Sequence, residues 1–144
     1  MRALVQRVSR AAVRVDGRVH AEIGEGLLVL LGVAEGDDEE RTARLAHKVL
    51  ALRVFADDAG QMNERLGERE ILCVSQFTLY GDARRGNRPS FTAAARPELA
   101  RPLYERFCEL TSARRGVFGA HIVAFDIATG AVEVLPTAGS GLVS

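Results

Sequence analysis

Ser75, Gln76 and Thr78 stand among large apolar residues in the stretch Ile71-Leu72-Cys73-Val74-Ser75-Gln76-Phe77-Thr78-Leu79-Tyr80. Buried polar groups must find hydrogen-bond partners. Neighbouring backbone is one source of partners and a bound ligand is another. Thr78 is a candidate nucleophile, but a threonine hydroxyl is weak unless a base or a positive field activates it. No such base stands near it in sequence, so Thr78 either attacks or only positions a substrate. The loop that follows, Gly81 to Phe91, carries Arg84, Arg85 and Arg88. It suits an anion if it is not simply a solvated turn. Phe91 and Phe118 read as core, and either can stack on an unpaired base.

Other chemistries find less support. His20, His47 and His121 fall in three separate elements, with no i, i+4 pair and no Cys-x-x-Cys, so no metal is expected. Cys73 and Cys108 read as structural thiols, not a disulfide or a metal site. A Gly-x-Ser-x-Gly elbow and a phosphate-binding Gly-Lys-[Ser/Thr] loop are both absent. Formal net charge is zero over 144 residues, 47% of them hydrophobic and 26% charged. That balance argues against a generic nucleic-acid binder, which carries a basic excess, but leaves room for a local basic patch. The length fits one domain, 1–144. With no membrane-length apolar run and no signal-peptide pattern, a cytoplasmic location is the default expectation.

The elements that must position these residues follow from periodicity. Ile71 to Tyr80 reads as a buried central strand, bounded by charge before it and Gly81-Asp82 after it. Strand alternation would put Gln76 and Thr78 on one face, and Ser75, Phe77 and Leu79 on the other. Met1–Ser9 and Leu27–Val33 are expected strands, and Ala12–Val15 and Arg18–Ile23 flank the Asp16-Gly17 turn as a hairpin. A helix is predicted from about Asp38 to Ala51, with acidic residues at its positive end. A short strand follows over Leu52–Phe55. A second helix begins at Pro97, is kinked at Pro102 or regular only from about Arg101, and ends near Arg114-Arg115-Gly116. His121–Ile127 and Ala131–Leu135 are further strands, and 136–144 reads as a frayed tail. The expected class is α/β, with a mostly antiparallel curved sheet over two main helices.

Ser75-Gln76-Phe77-Thr78-Leu79 followed by Arg85-Gly86-Asn87-Arg88-Pro89-Ser90-Phe91 resembles the D-aminoacyl-tRNA deacylases, also called D-tyrosyl-tRNA deacylases. Leu4-Val5-Gln6-Arg7-Val8-Ser9-Arg10-Ala11, Gly26 to Val33, and Leu52-Arg53-Val54-Phe55 with Met62-Asn63 resemble the same family in the same order. The resemblance runs from the first residue to about Val134. It implies a barrel-like core, a homodimer, no cofactor, and hydrolysis of the ester of D-aminoacyl-tRNA at the acceptor end. Catalysis would lean on backbone N–H groups of Gln76 and Phe77 and on the 2′-hydroxyl of the tRNA, with the Gln76 side chain orienting the ester. Ser75 and Thr78 belong to the same motif. Arg84, Arg85 and Arg88 would contact tRNA phosphates, and Phe91 or Phe118 the terminal adenine. In the family a cis Gly-Pro pair enters the partner's site and excludes L-amino acids. Here the matching residues are Gly130-Ala131. A cis bond costs about 2.5–4 kcal/mol before a non-proline residue, against roughly 0.5–1 before proline. A trans bond is therefore expected, and with it weaker rejection of L-aminoacyl or glycyl esters. Two other readings of the scaffold are a non-catalytic binder of the tRNA acceptor end and a small-ester hydrolase with no RNA partner.

Overall fold

The computed structural model describes residues 1–84, 86–119, 124–128 and 142–143. Its first fifteen residues are one extended run bent at Ser9, so that β1 (Arg2–Val8) and β2 (Arg10–Val15) join different sheets. β2 returns antiparallel as β3 (Arg18–Ile23). Both turn residues have positive φ, 51° at Asp16 and 75° at Gly17. A two-residue type I′ hairpin turn requires this, because its twist matches that of the strands.

β4 (Gly26–Gly32) pairs antiparallel with β1 and parallel with β7 (Glu70–Ser75). Parallel neighbours cannot be joined by a hairpin. The connection instead carries α1 (Glu39–Ala51) and a small ribbon of β5 (Phe55–Ala56) and β6 (Met62–Glu64). A second crossover, through α2 (Pro97–Leu110), leads to β8 (Arg114–Arg115), parallel to β7 on its other side. Strands β9 (Ala124–Ala128) and β10 (Leu142–Val143) add antiparallel to β2 and β1. The result is a five-stranded sheet, β10-β1-β4-β7-β8, and a three-stranded sheet, β3-β2-β9. The larger sheet is thus mixed, not mostly antiparallel, because both neighbours of β7 are reached by helical crossovers.

The larger sheet is covered on both faces, which is why β4 and β7 are apolar without alternation. On one face Val5, Leu27, Val29, Leu31, Ile71 and Cys73 pack under Leu45, Val49, Tyr104 and Phe107 of the adjacent helices. On the other, Leu28, Leu72 and Val74 meet Ala11, Val13 and Ile23 of the smaller sheet. Tyr104 lies in the first layer and donates its hydroxyl to Cys73 O at 2.9 Å and Gly116 O at 3.2 Å. Among the described residues no helix is long and apolar enough to cross a membrane.

Helix α1 begins where its chemistry predicts: the Asp38 carboxylate accepts from Arg41 N at 2.8 Å, with Glu39 and Glu40 in the first turn. The neighbouring Asp37 is buried. It takes the Met1 ammonium at 2.6 Å and Ala34 N at 2.7 Å. Helix α2 runs through Pro102, whose missing N–H falls on the exposed face where water can replace it. It ends at Leu110, short of the predicted Arg114. Ser112 takes a left-handed conformation (φ 52°), Ala113 N reaches back to Cys108 O (2.9 Å) and Ser112 N to Glu109 O (3.2 Å). This is a Schellman closure built on serine instead of the usual glycine. Arg114 and Arg115 become strand, not the cationic last turn of a helix. Of the predicted strand 52–55 only Phe55 is strand, and Met62–Glu64, read as irregular, pairs with it. Leu142 and Val143 pair with Leu4 and Ala3, so this part of the tail is not frayed. The expectations for 121–123, 129–141 and Ser144 lie outside the described residues.

Candidate active site

The predicted strand through Tyr80 stops at Ser75. Gln76 still donates its backbone N–H to Leu31 O at 2.8 Å, extending the parallel ladder by one bond. The chain then leaves the sheet as a single 3-10 turn, η1 (Phe77–Tyr80). Leu79 N bonds to Gln76 O at 3.3 Å and Gly81 N to Thr78 O at 2.9 Å. Gly32, at the end of β4, makes room for this turn. A Cβ there would sit 3.2 Å from each of Gln76 O, Leu79 Cβ and Tyr80 Cε2.

Arg2 fastens the far end of the turn. It donates to Leu79 O at 2.9 Å, and its guanidinium lies 4.5 Å from the centre of the Tyr80 ring. Burial pushes the Tyr80 phenol up to about 12, the Asp37 charge pushes the same way, and Arg2 opposes both. Sequence reasoning missed Arg2 and Gly32, because their roles exist only once β1, β4 and η1 are side by side.

The strand alternation invoked for Gln76 and Thr78 does not apply inside a 3-10 turn. Their side chains meet all the same, because Gln76 Nε2 donates to Thr78 Oγ1. The Gln76 backbone N–H, expected as a catalytic donor, is held by Leu31 O. Among the described residues the N–H groups of Phe77 and Thr78 have no acceptor. Preorganised donors of this kind stabilise an oxyanion developing in ester cleavage. Ser75 sits half-buried at the end of β7, two residues before Phe77.

The loop after η1 closes on itself. Asp82 and Ser90 exchange two backbone hydrogen bonds, each 2.8 Å. Phe91 thereby returns to Phe77, ring centres 5.3 Å apart and planes at 73°, with Gly81 leaving space for the Phe91 ring. Phe77 is 56% exposed and Phe91 37% exposed, an aromatic pair open to solvent beside the turn. Arg84 is committed to Asp82 through contacts of 2.9 and 2.7 Å, and this pairing holds the Asp82 carboxyl well below the usual carboxylate range. Arg88 is exposed, and among the described residues it has no acidic partner. Phe118 is half-buried on the helix side, 5.6 Å from Tyr104, apart from the Phe77–Phe91 pair. Arg85, Gly130 and Ala131 lie outside the described residues. Among the described residues no three His, Cys, Asp or Glu side chains come together.

Comparison with known proteins agrees with the motif. The family model of D-Tyr-tRNA(Tyr) deacylase matches residues 4–135. A D-aminoacyl-tRNA deacylase of Symbiobacterium thermophilum is 51% identical over 142 residues, 94% of each chain. That of Myxococcus xanthus is 53% identical over 129 residues, covering 88% of this chain and 84% of the relative. Among solved structures, the c-Myc DNA Unwinding Element Binding Protein superimposes with a TM-score of 0.80 at 37% identity, covering 90% of this chain and 91% of that one. A probable eukaryotic D-amino acid tRNA deacylase shares the fold, with a TM-score of 0.77 at 15% identity. With the family model spanning nearly its whole length and relatives at about half identity over most of theirs, the chain belongs to the D-Tyr-tRNA(Tyr) deacylase family.

Proposed function

We propose that the protein hydrolyses the ester of D-aminoacyl-tRNA, releasing free D-amino acid and tRNA, as a chiral proofreading step of translation in the cytoplasm. The observation that carries the site assignment is the pair of unpartnered N–H groups, Phe77 and Thr78, at the start of η1. The ester carbonyl lies against these donors. Attack on its carbon transfers charge to the oxygen, and the donors meet that charge without reorganising. The Thr78 hydroxyl, held by Gln76, positions the substrate; no side-chain base contacts it among the described residues. The attacking oxygen is therefore water, assisted by the tRNA's own 2′-hydroxyl. The exposed Phe77–Phe91 pair offers a ring face to the terminal adenine, and Arg88 is freer than Arg84 to meet a phosphate.

In this reading two chains form a homodimer, each with a barrel-like core made by its two sheets. Gly130 and Ala131 of one chain complete the other's site. Alanine in place of proline relaxes the rejection of L-aminoacyl or glycyl esters. The test is deacylation of D-tyrosyl-, L-tyrosyl- and glycyl-tRNA side by side. Loss of the D-ester with some loss of the L- or glycyl ester is expected. Loss of the D-ester alone sinks the relaxed-selectivity part, and no loss of any ester sinks the enzyme reading in favour of an RNA-binding role.

A further inference from the structure

A second cleft, of about 440 Å³, opens on the outer flank of α1, lined by Met1, Asp37, Arg41, Arg44, Leu45 and Lys48. Residues 41, 44 and 48 recur at helical spacing, so their side chains share one face. At 1.5 Å of rise per residue they span about 10 Å along the helix. Asp37 is the one acid in the cleft, and it is already held by the Met1 ammonium at 2.6 Å and by Ala34 N. Arg41 stands 3.9 Å from it and also bonds Gly36 O. Arg44 and Lys48 are exposed, and among the described residues neither has an acidic partner. Glu40, four residues before Arg44, makes no ion pair with it. A chain with no net charge therefore concentrates three cations on one rim, with no protein anion to neutralise two of them.

Consecutive residues border this rim and the cleft beside η1. Met1 borders the α1 cleft. Arg2, the next residue, borders the cleft formed with Tyr80, Gly81, Asp82, Ala83 and Arg84. Asp37 is close enough to Tyr80 for its charge to raise that phenol. We propose that Arg41, Arg44 and Lys48 on α1 form a second contact surface, one that holds successive phosphates of the acceptor stem while the single-stranded end occupies the site at η1. This rests on the deacylase reading for the identity of the RNA. Long, flexible cations spaced along an exposed flank match a polyanion, and contacts of this kind set position and affinity without reading sequence.

The test uses the full chain with Arg44→Gln and Lys48→Gln together. Both residues are exposed and glutamine keeps a good helix propensity, so circular dichroism should be unchanged. Removing one cation from a phosphate lowers the slope of log affinity against log salt by about 0.7–0.9. For uncharged tRNA the double variant's slope should therefore be shallower by about 1.4–1.8. With D-tyrosyl-tRNA the KM should rise roughly tenfold at about 0.1 M salt, with kcat unchanged. A D-tyrosyl ester of a CCA trinucleotide, which has no stem, should be cleaved equally by both proteins. Wild-type KM and salt slope in the double variant would overturn the proposal and leave the deacylase reading intact. A wild-type protein that cleaves no ester, yet binds uncharged tRNA with a slope the variant lowers, would leave the surface standing and remove the enzyme.

Discussion

Gly32→Ala tests whether the position of η1 governs the chemistry. The added methyl would meet Gln76 O, Leu79 Cβ and Tyr80 Cε2, each at 3.2 Å, where ordinary contact begins near 3.4 Å. All three belong to the segment that carries the unpartnered N–H groups, and Arg2 holds its far end. The turn must therefore move by a few tenths of an ångström. Overpacking costs about 1–3 kcal/mol, offset by roughly 0.5–1 kcal/mol from the lost flexibility of glycine, so stability should fall by about 2.5 kcal/mol at most. Misplacement by about 1 Å can cost on the order of 10²-fold in rate, which scales to roughly a fivefold loss of kcat for this shift. Single-turnover deacylation of D-tyrosyl-tRNA, alongside urea unfolding, reads both. Gly26→Ala is the counterpart at the other end of β4. Its Cβ would lie 1.9 Å from Glu70 O, so it should destabilise strongly while the folded fraction keeps its kcat. Gly24→Ala, with nothing within 4 Å, should change neither. Wild-type kcat in Gly32→Ala, with unaltered stability, would refute the packing of η1 on β4 as the feature that sets the site.

Gln76→Ala removes the donor to Thr78 Oγ1 from a half-buried position and should lower turnover far more than the unfolding midpoint; a folded variant with wild-type rates would refute its role. Ser112→Gly should raise stability by about 0.5–1 kcal/mol, since a left-handed residue with a Cβ costs roughly 1–2 kcal/mol and glycine returns part of that as entropy. Thermal unfolding should shift upward by roughly 2–4 °C, and a downward shift would contradict the Schellman closure. The Tyr80 phenol titrates at about 12 in the folded protein, above its ordinary value of 10. Its stabilising contribution is therefore complete below pH 10 and is lost as pH rises from 10 to 12. Tyr80→Phe should lose less stability than the wild type between about pH 10 and 12 by urea titration.

Much of the molecule is legible without coordinates because its signals are local. Asp16-Gly17 can form a tight hairpin turn wherever it stands, and Asp38 with Glu39 and Glu40 marks a helix start through its own first-turn amides. The place of the candidate site is equally local, since polar residues break the apolar run only at Ser75 to Thr78. The motif itself identifies the family. Features that depend on partners remote along the chain were not legible. β7 ends at Ser75 because Gly32, far earlier in the chain, leaves space for a turn, and because Arg2 fastens Leu79 O. The Gln76 N–H looks available in sequence, but Leu31 O takes it, and the donors left over are those of Phe77 and Thr78. Arg84 reads as a phosphate ligand until Asp82 is seen gripping it. Helix α2 is closed off just past Leu110 by Ser112 in the left-handed region, which turns Arg114 and Arg115 from a cationic helix end into an edge strand. Local propensity determined which elements form; tertiary contact decided where they stop and which polar groups remain unpaired.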